Sequence, residues 1–505
     1  MEMKAIRLFC TCLVSVALIS GSPQLKIAEA HGLSDIIIED IFGRVLNDNG
    51  IVLVDWEGYM ANPAIKVFVV PPADAQFPAT AVLTSSEPRL YFDLPSDAGP
   101  NGPSKTITLT SASSRVPVLL SIFPDRDTYD EDHLLQIQLT DANGAQSSLA
   151  VNVHVIDQDR DRRGPFRITV DFSQDQTGFF DDPHTREIVR QAAEDWAYFI
   201  DDMNLDAVLP GAESTFIWNP DGFVSGTFTT NQNAYTGFLL YAYGIHSAAL
   251  RSGGEGSSAG DFQSSGGVEL PLKRSGGVEI ETQGNFNTLG WFLTTGDSDW
   301  WEASNLGGEQ NDLYSIAHHE IGHSLAFNPA YPIVTQSKAQ GFISDPSLLA
   351  YHGSYPNIDA FDHLSGEIDN ASRKGAFGYE YFGDVPRRRW LVTKLDLLAL
   401  QAIGYRLRQT SAFVPLSILT RRLPRGVVSG EYLATLRAKG GIPFYDWTVE
   451  SGALPVGLSL NSFTGAISGT PNQVGTFNFT VRVRDYQEGT PGVSLPMSIT
   501  LHARR

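Results

Sequence analysis

The stretch Asp312-Leu-Tyr-Ser-Ile-Ala-His-His-Glu-Ile-Gly-His-Ser-Leu-Ala-Phe327 decides how the centre of this 505-residue chain is read. It predicts a helix over 312–327 that stops at Asn328, because Pro329 disfavours α-geometry in the residue before it. On such a helix His319 and His323 stand four residues apart. Their imidazoles then project from one face about 6 Å apart, within joint reach of one cation. Glu320 lies one residue along, close enough to reach a metal-bound water without being a ligand. That division of labour suits hydrolysis: the metal lowers the pKa of its water toward ~7 and polarises a carbonyl, while the glutamate takes the proton. The bland alternative is a structural helix that carries surface histidines. His318 points about 100° away from His319 and reads as structural.

Working outward, a second helix is expected over Lys394–Ile403, with Thr393 as cap, Asp396 three residues on and Gly404 as the stop. Upstream, Phe166–Phe172 alternates like a half-buried strand. Asp182-Pro183 then supplies an N-cap and first-turn proline for a helix whose stripe is Val189, Ala192, Ala193, Trp196 and Ile200. Gly-rich hairpins follow over 251–284, including Arg-Ser-Gly-Gly at 251 and again at 274. Residues 31–160 read as a β-sandwich: short β-rich runs at 51–55, 65–70, 105–109, 118–122, 135–139 and 149–155 alternate with Pro, Gly, Asn and Asp clusters. The stretch 157–164 reads as a linker. Its Asp157, Asp159 and Asp161 are either a solvated charge run or ligands for Ca2+ between domains.

The His319–His323 motif resembles that of the metzincin metallopeptidases, which continue H-E-x-x-H-x-x-G-x-x-H. This chain has Ala326 at the glycine and Pro329 at the third ligand, and proline cannot bind zinc. A catalytic Zn2+ needs three protein ligands, so the third must come from further along. The resemblance to bacterial secreted relatives places it in Phe361-Asp-His-Leu-Ser-Gly366 and makes His363 the expected ligand. His352, Asp359, Asp362 and Glu367 are the alternatives. Gly383-Asp-Val-Pro386 and Leu395-Asp-Leu-Leu-Ala-Leu-Gln-Ala-Ile-Gly-Tyr405 look like the methionine turn and closing helix of those relatives, with Val385 in place of methionine. Tyr379, Tyr381 and Tyr405 are either oxyanion donors, as in some relatives, or core aromatics. Arg387-Arg-Arg389 is either a substrate-carboxylate site or a salt-bridged surface.

Near the C-terminus, Tyr445-Asp-Trp447, Gly452-Ala-Leu-Pro-Val-Gly-Leu-Ser-Leu460, Thr464-Gly-Ala-Ile-Ser-Gly-Thr-Pro471 and Gly475–Asp485 look like the bacterial immunoglobulin-like domains found on secreted proteins. The resemblance covers roughly the last ninety residues and implies spacing or adhesion.

Lys4 and Arg7, the apolar run Leu8–Ser20 and Ala28-Glu-Ala30 together read as an export signal over 1–30. Both cysteines, Cys10 and Cys12, fall inside it. The expected mature chain therefore has no disulfide. The formal charge of −21 becomes −22 once the signal's three basic and two acidic residues are removed; such a surface repels nucleic acid and anionic membranes.

Together these features predict a multidomain chain. Its expected parts are a signal peptide (1–30), a β-sandwich (31–160), an α+β zincin metallopeptidase domain (164–410) and an immunoglobulin-like β-sandwich (411–505). The expected activity is that of a secreted or cell-surface zinc endopeptidase with Glu320 as general base, His319, His323 and His363 on the metal, and protein or peptide substrates. No nucleic-acid partner and no membrane span in the mature chain are expected. The alternative is an adhesion or binding protein whose zincin domain is structural.

Overall fold

The computed structural model describes residues 33–93, 104–125, 127–159, 164–201, 203, 205–211, 214–217, 227–245, 254–257, 262–265, 268–271, 275–281, 291–292, 311–327, 331–352, 354–358, 390–487 and 491–504. The expected signal peptide lies outside them. Strand outweighs helix, about 40% to 18%, so the chain is mainly a multi-sheet β protein. No helix among the described residues is long and apolar enough to cross a membrane.

Nine strands open the chain: β1 (Ile37–Asp40), β2 (Ile51–Asp55), β3 (Ile65–Val70), β4 (Ala79–Ser85), β5 (Leu90–Asp93), β6 (Ser104–Leu109), β7 (Val116–Ile122), β8 (Glu131–Thr140) and β9 (Gln146–Asp157). They form two sheets, ordered β1-β3-β7-β5 and β2-β9-β8-β4-β6. Side chains alternate across each strand. Ile65, Val67 and Val69 of β3 are therefore buried, as are Leu135, Ile137 and Leu139 of β8, while the residues between them are more exposed.

The central region begins with β10 (Ile168–Asp171) and α1 (Pro183–Phe199). The Asp182 side chain caps α1 by accepting from His184 N at 2.8 Å, and Ile188, Val189, Ala192, Ala193, Trp196 and Phe199 form its buried stripe. Next come β11 (Ser214–Ile217), β12 (Thr227–Thr230), β13 (Phe238–Ile245), β14 (Gly254–Ser257), β15 (Phe262–Ser265), β16 (Val268–Pro271), β17 (Ser275–Glu281), β18 (Trp291–Phe292) and β19 (Asn311–Asp312). One sheet, β10-β13-β17-β14, organises this part. Its first three strands are parallel, and β14 runs antiparallel to β17. Helix α2 (Leu313–Leu325) packs on α1, β14 and β17. Then follow α3 (Pro332–Gln340), α4 (Pro346–His352) and α5 (Lys394–Ile403). Helix α5 has the expected bounds and capping box, with Thr393 and Asp396 satisfying each other's backbone donors and Gly404 ending it.

The last strands are β20 (Ser417–Ile418), β21 (Gly426–Val427), β22 (Tyr432–Thr435), β23 (Ala438–Lys439), β24 (Asp446–Gly452), β25 (Leu458–Leu460), β26 (Ala466–Gly469), β27 (Gly475–Arg484) and β28 (Val493–His502). They make the sheets β21-β28-β27-β24 and β22-β26-β25 and the pair β20-β23. Between them lies a separate core of Trp447, Ile467, Val481, Val483 and Ile499.

The three regions touch through specific contacts. One buried apolar cluster runs from Ile36 and Trp56 of the first region to Trp196, Leu325 and Tyr405 of the second. Arg44 connects the first region to the third. It pairs with Asp40 at 2.7 Å, donates to the Tyr445 and Ser462 carbonyls, and lies 4.2 Å from the Phe463 ring centroid.

Candidate metal centre

Helix α2 carries the motif, and nearly all of its side chains are buried. His319 and His323 present their Nε2 atoms to each other at 3.2 Å. Two ring nitrogens each ~2.0–2.1 Å from a tetrahedral zinc stand ~3.3–3.4 Å apart, so the observed pair already has the bite of a shared metal. Ligating atoms of His319, Glu320 and His323 all lie within 4.8 Å of one another. Glu320 is buried beside the two imidazoles, and His319 is half-buried against the Trp390 ring.

The end of the helix fixes the second histidine. Rather than running to Phe327, α2 ends at Leu325, and Ala326 leaves it at φ −157°, ψ −37°. The Phe327 carbonyl turns back to accept from His323 Nδ1–H. This places the proton on Nδ1 and leaves the Nε2 lone pair for a metal, as an outer hydrogen-bond partner does for metal-bound histidine. Ala326 adopts no left-handed backbone, so an alanine is accommodated at this helix end without strain. The Leu325 carbonyl at the helix end accepts from the Tyr405 hydroxyl at 2.7 Å and from Tyr331. Tyr405 is thus buried with its hydroxyl on the helix end, which favours the core-aromatic reading of it over the oxyanion donor.

The other flank of α2 is held by a buried polar network. Asp195 of α1 accepts from Gln191 Nε2 at 2.7 Å, from His318 Nε2 at 3.1 Å and from the Tyr314 hydroxyl. Trp196 Nε1–H donates to the His318 carbonyl at 2.9 Å, and Ser324 Oγ donates to the Gly277 carbonyl of β17 at 2.7 Å. His318 is therefore structural, as its direction on the helix implied. Sequence reading missed Asp195, since nothing in the α1 pattern marks it apart from the surface acids beside it.

His363, Asp359, Asp362, Glu367, Val385, Tyr379, Tyr381 and Arg387–Arg389 lie outside the described residues. His352 closes α4, and its side chain is likewise outside them.

A second cluster forms at the junction of the first two regions. Carboxylates of Asp125, Asp157 and Asp159 come within 4.8 Å of one another, and so do those of Asp125, Asp127 and Glu131. Burial and the neighbouring negative charges push Asp159 up to about 7 and Asp157 up to about 6. Burial likewise raises Asp55, which shares this cluster. Asp161 lies outside the described residues. Sequence reading missed the Asp125–Glu131 half, whose only signal is a second acidic run, Asp125-Arg-Asp-Thr-Tyr-Asp-Glu131, that folding brings against 157–159.

Comparison with known proteins adds one family. Residues 419–500 match the family described as "Putative Ig domain". The C-terminal sheets are thus an immunoglobulin-like domain, as the motifs at 445–485 implied. No curated protein matches the chain. Among solved structures, a "putative alpha-galactosidase" from Bacteroides fragilis is 24% identical over 18% of each chain, with a TM-score of 0.16; the chain thus spans less than a fifth of that protein. The N-terminal domain of PorA is 10% identical, covering 25% of this chain and 98% of that one at a TM-score of 0.17. Mouse cadherin-23 repeats 22–24 are 12% identical, covering 93% and 100% at 0.19. At these scores the likenesses carry no weight for fold or activity.

Proposed function

We propose that this chain is an exported zinc-dependent endopeptidase whose α+β zincin domain occupies 164–410, with His319 and His323 as metal ligands, Glu320 as general base and His363 as third ligand. The observation that carries the reading is the 3.2 Å Nε2–Nε2 approach, with His323 oriented by the Phe327 carbonyl. His319 and His323 would hold the zinc, which when bound would supply Lewis acidity and lower the pKa of the attacking water toward ~7. Glu320, buried and within reach of the same point, receives the water's proton and returns it to the leaving amine. A purely structural site has no use for a carboxylate at that position. Strand β14, the outermost of its sheet among the described residues and packed beside α2, would be the edge for an extended peptide to pair with. Asp125, Asp157 and Asp159, whose carboxylates lie within 4.8 Å of one another, would be the ligands for calcium between the first two regions.

Zinc titration of the wild type against His319→Ala and His363→Ala tests the ligand set. Loss of at least tenfold in affinity in both variants supports it. An unchanged affinity in His363→Ala moves the third ligand to His352 or to one of the carboxylates at 359, 362 and 367. Failure of the wild type to bind zinc favours the adhesion reading.

A further inference from the structure

The C-terminal domain carries the opposite charge from the rest of the molecule. Residues 414–505 hold nine Lys and Arg against five Asp and Glu, a net of +4, so residues 1–413 carry −25 of the total −21. Three of those nine, Arg421, Arg422 and Arg425, sit together in the connection between β20 and β21. They line one side of an open groove of about 750 Å3 above the outer face of β24, β27 and β28. All three are exposed and make no hydrogen bond or ion pair among the described residues. Elsewhere in the domain, by contrast, Arg484 is paired with Asp446 at 2.6 Å and Arg482 with Glu450 at 3.3 Å. Among the described residues no carboxylate lines the groove. Its floor is a row of small hydroxyl and amide side chains: Ser451, Asn478, Thr480, Ser498 and Thr500.

We propose that this groove binds an acidic polysaccharide, a sugar chain carrying carboxylate or sulfate groups among its hydroxyls. Guanidinium groups bind such anions through paired, charge-assisted hydrogen bonds, and the hydroxyl and amide floor matches the neutral part of the chain. Two rival occupants fit less well. An acidic peptide is held best by adding a strand to a free sheet edge, whereas this floor is a sheet face whose central strands β27 and β28 are already paired on both sides. A single-stranded nucleic acid relies on exposed aromatic rings for stacking. Among the described residues the one aromatic lining the groove, Phe479, is 4% exposed and belongs to the core beneath. The groove is separate from the metal centre, so the proposal stands or falls independently of the peptidase reading.

Isothermal titration of the full chain with polygalacturonate and with heparin tests it, against neutral dextran, polyglutamate and a single-stranded oligonucleotide. The expected result is salt-sensitive binding of at least one acidic glycan, tighter than any control. The triple variant R421A/R422A/R425A should lose at least tenfold in affinity with its melting temperature unchanged. Comparing the two glycans assigns the anion as carboxylate or sulfate. The proposal is overturned if neither glycan binds, if polyglutamate or the oligonucleotide binds as tightly, or if the triple variant stays within twofold of the wild type.

Discussion

Replacing Asp195 by alanine should unfasten the motif helix from its neighbour. In the native protein its buried carboxylate accepts from Gln191, His318 and Tyr314 at once. Alanine removes the acceptor shared by two buried donors, His318 Nε2–H and the Tyr314 hydroxyl, and by the half-buried Gln191 amide. Each orphaned polar group costs about 1–3 kcal/mol, and neighbours sharing one network do not add fully. The loss is then about 3–5 kcal/mol, the range seen when one partner of a buried charged network is removed. For a cooperative unit of this size, each kcal/mol lowers Tm by about 2–4 °C, giving a drop of roughly 6–20 °C. Asp195→Asn keeps an acceptor oxygen and should fall between the two. Differential scanning calorimetry reads the effect. The reasoning is refuted if Asp195→Ala melts within about 2 °C of the wild type, because the network would then contribute nothing to holding α2.

Other consequences follow from the same contacts. Tyr405→Phe removes one hydrogen bond to the Leu325 carbonyl, costing about 1 kcal/mol, and should leave peptide cleavage unchanged; a large fall in kcat at unchanged stability would restore the oxyanion role. Arg44→Ala leaves Asp40 buried without its cation and should lower Tm by an amount like that of Asp195→Ala. Calorimetry should then show the C-terminal domain melting as a separate transition, and a single undivided peak would count against this contact coupling the regions. The Asp125–Asp157–Asp159 cluster sets a pH dependence. Its raised carboxylates keep their protons in the folded state while the unfolded chain releases them above pH ~4. The folded state binds more protons in that window, so stability falls as pH rises from ~4 through the Asp157 and Asp159 values of about 6 and 7. Melting temperature should drop between pH 5 and pH 8 and recover with millimolar calcium. A flat or rising profile contradicts the cluster's assignment.

How far the sequence could be read varied with the physics involved. Helix α5 was legible to the residue, because Thr393, Asp396 and Gly404 are local signals that act within one turn. The strands at 51–55 and 65–70 were equally plain, since hydrophobic runs bounded by turn residues need no tertiary help. β4 was not, because the residues it turns inward include only small alanines at 79 and 81 beside Leu83. The end of α2 was misplaced by two residues: the determinants are hydroxyls of Tyr331 and Tyr405 and a carbonyl that swings toward His323, and these contacts form only after folding. The paired histidines were legible because four-residue spacing is geometry that the helix itself enforces. Asp195 and the junction of 125–131 with 157–159 were not, since each depends on segments brought together from a distance.

The central claim is that Glu320 moves a proton at a metal held by His319 and His323. Its most direct test is cleavage of a denatured protein by the wild type and by Glu320→Gln, with zinc content measured in the same samples. The account predicts about one zinc per chain in both. It also predicts a cleavage rate at least a hundredfold lower in the variant, in line with the ~10²–10⁴ contribution of a positioned general base. Equal cleavage by the two proteins, with zinc bound in each, would contradict it.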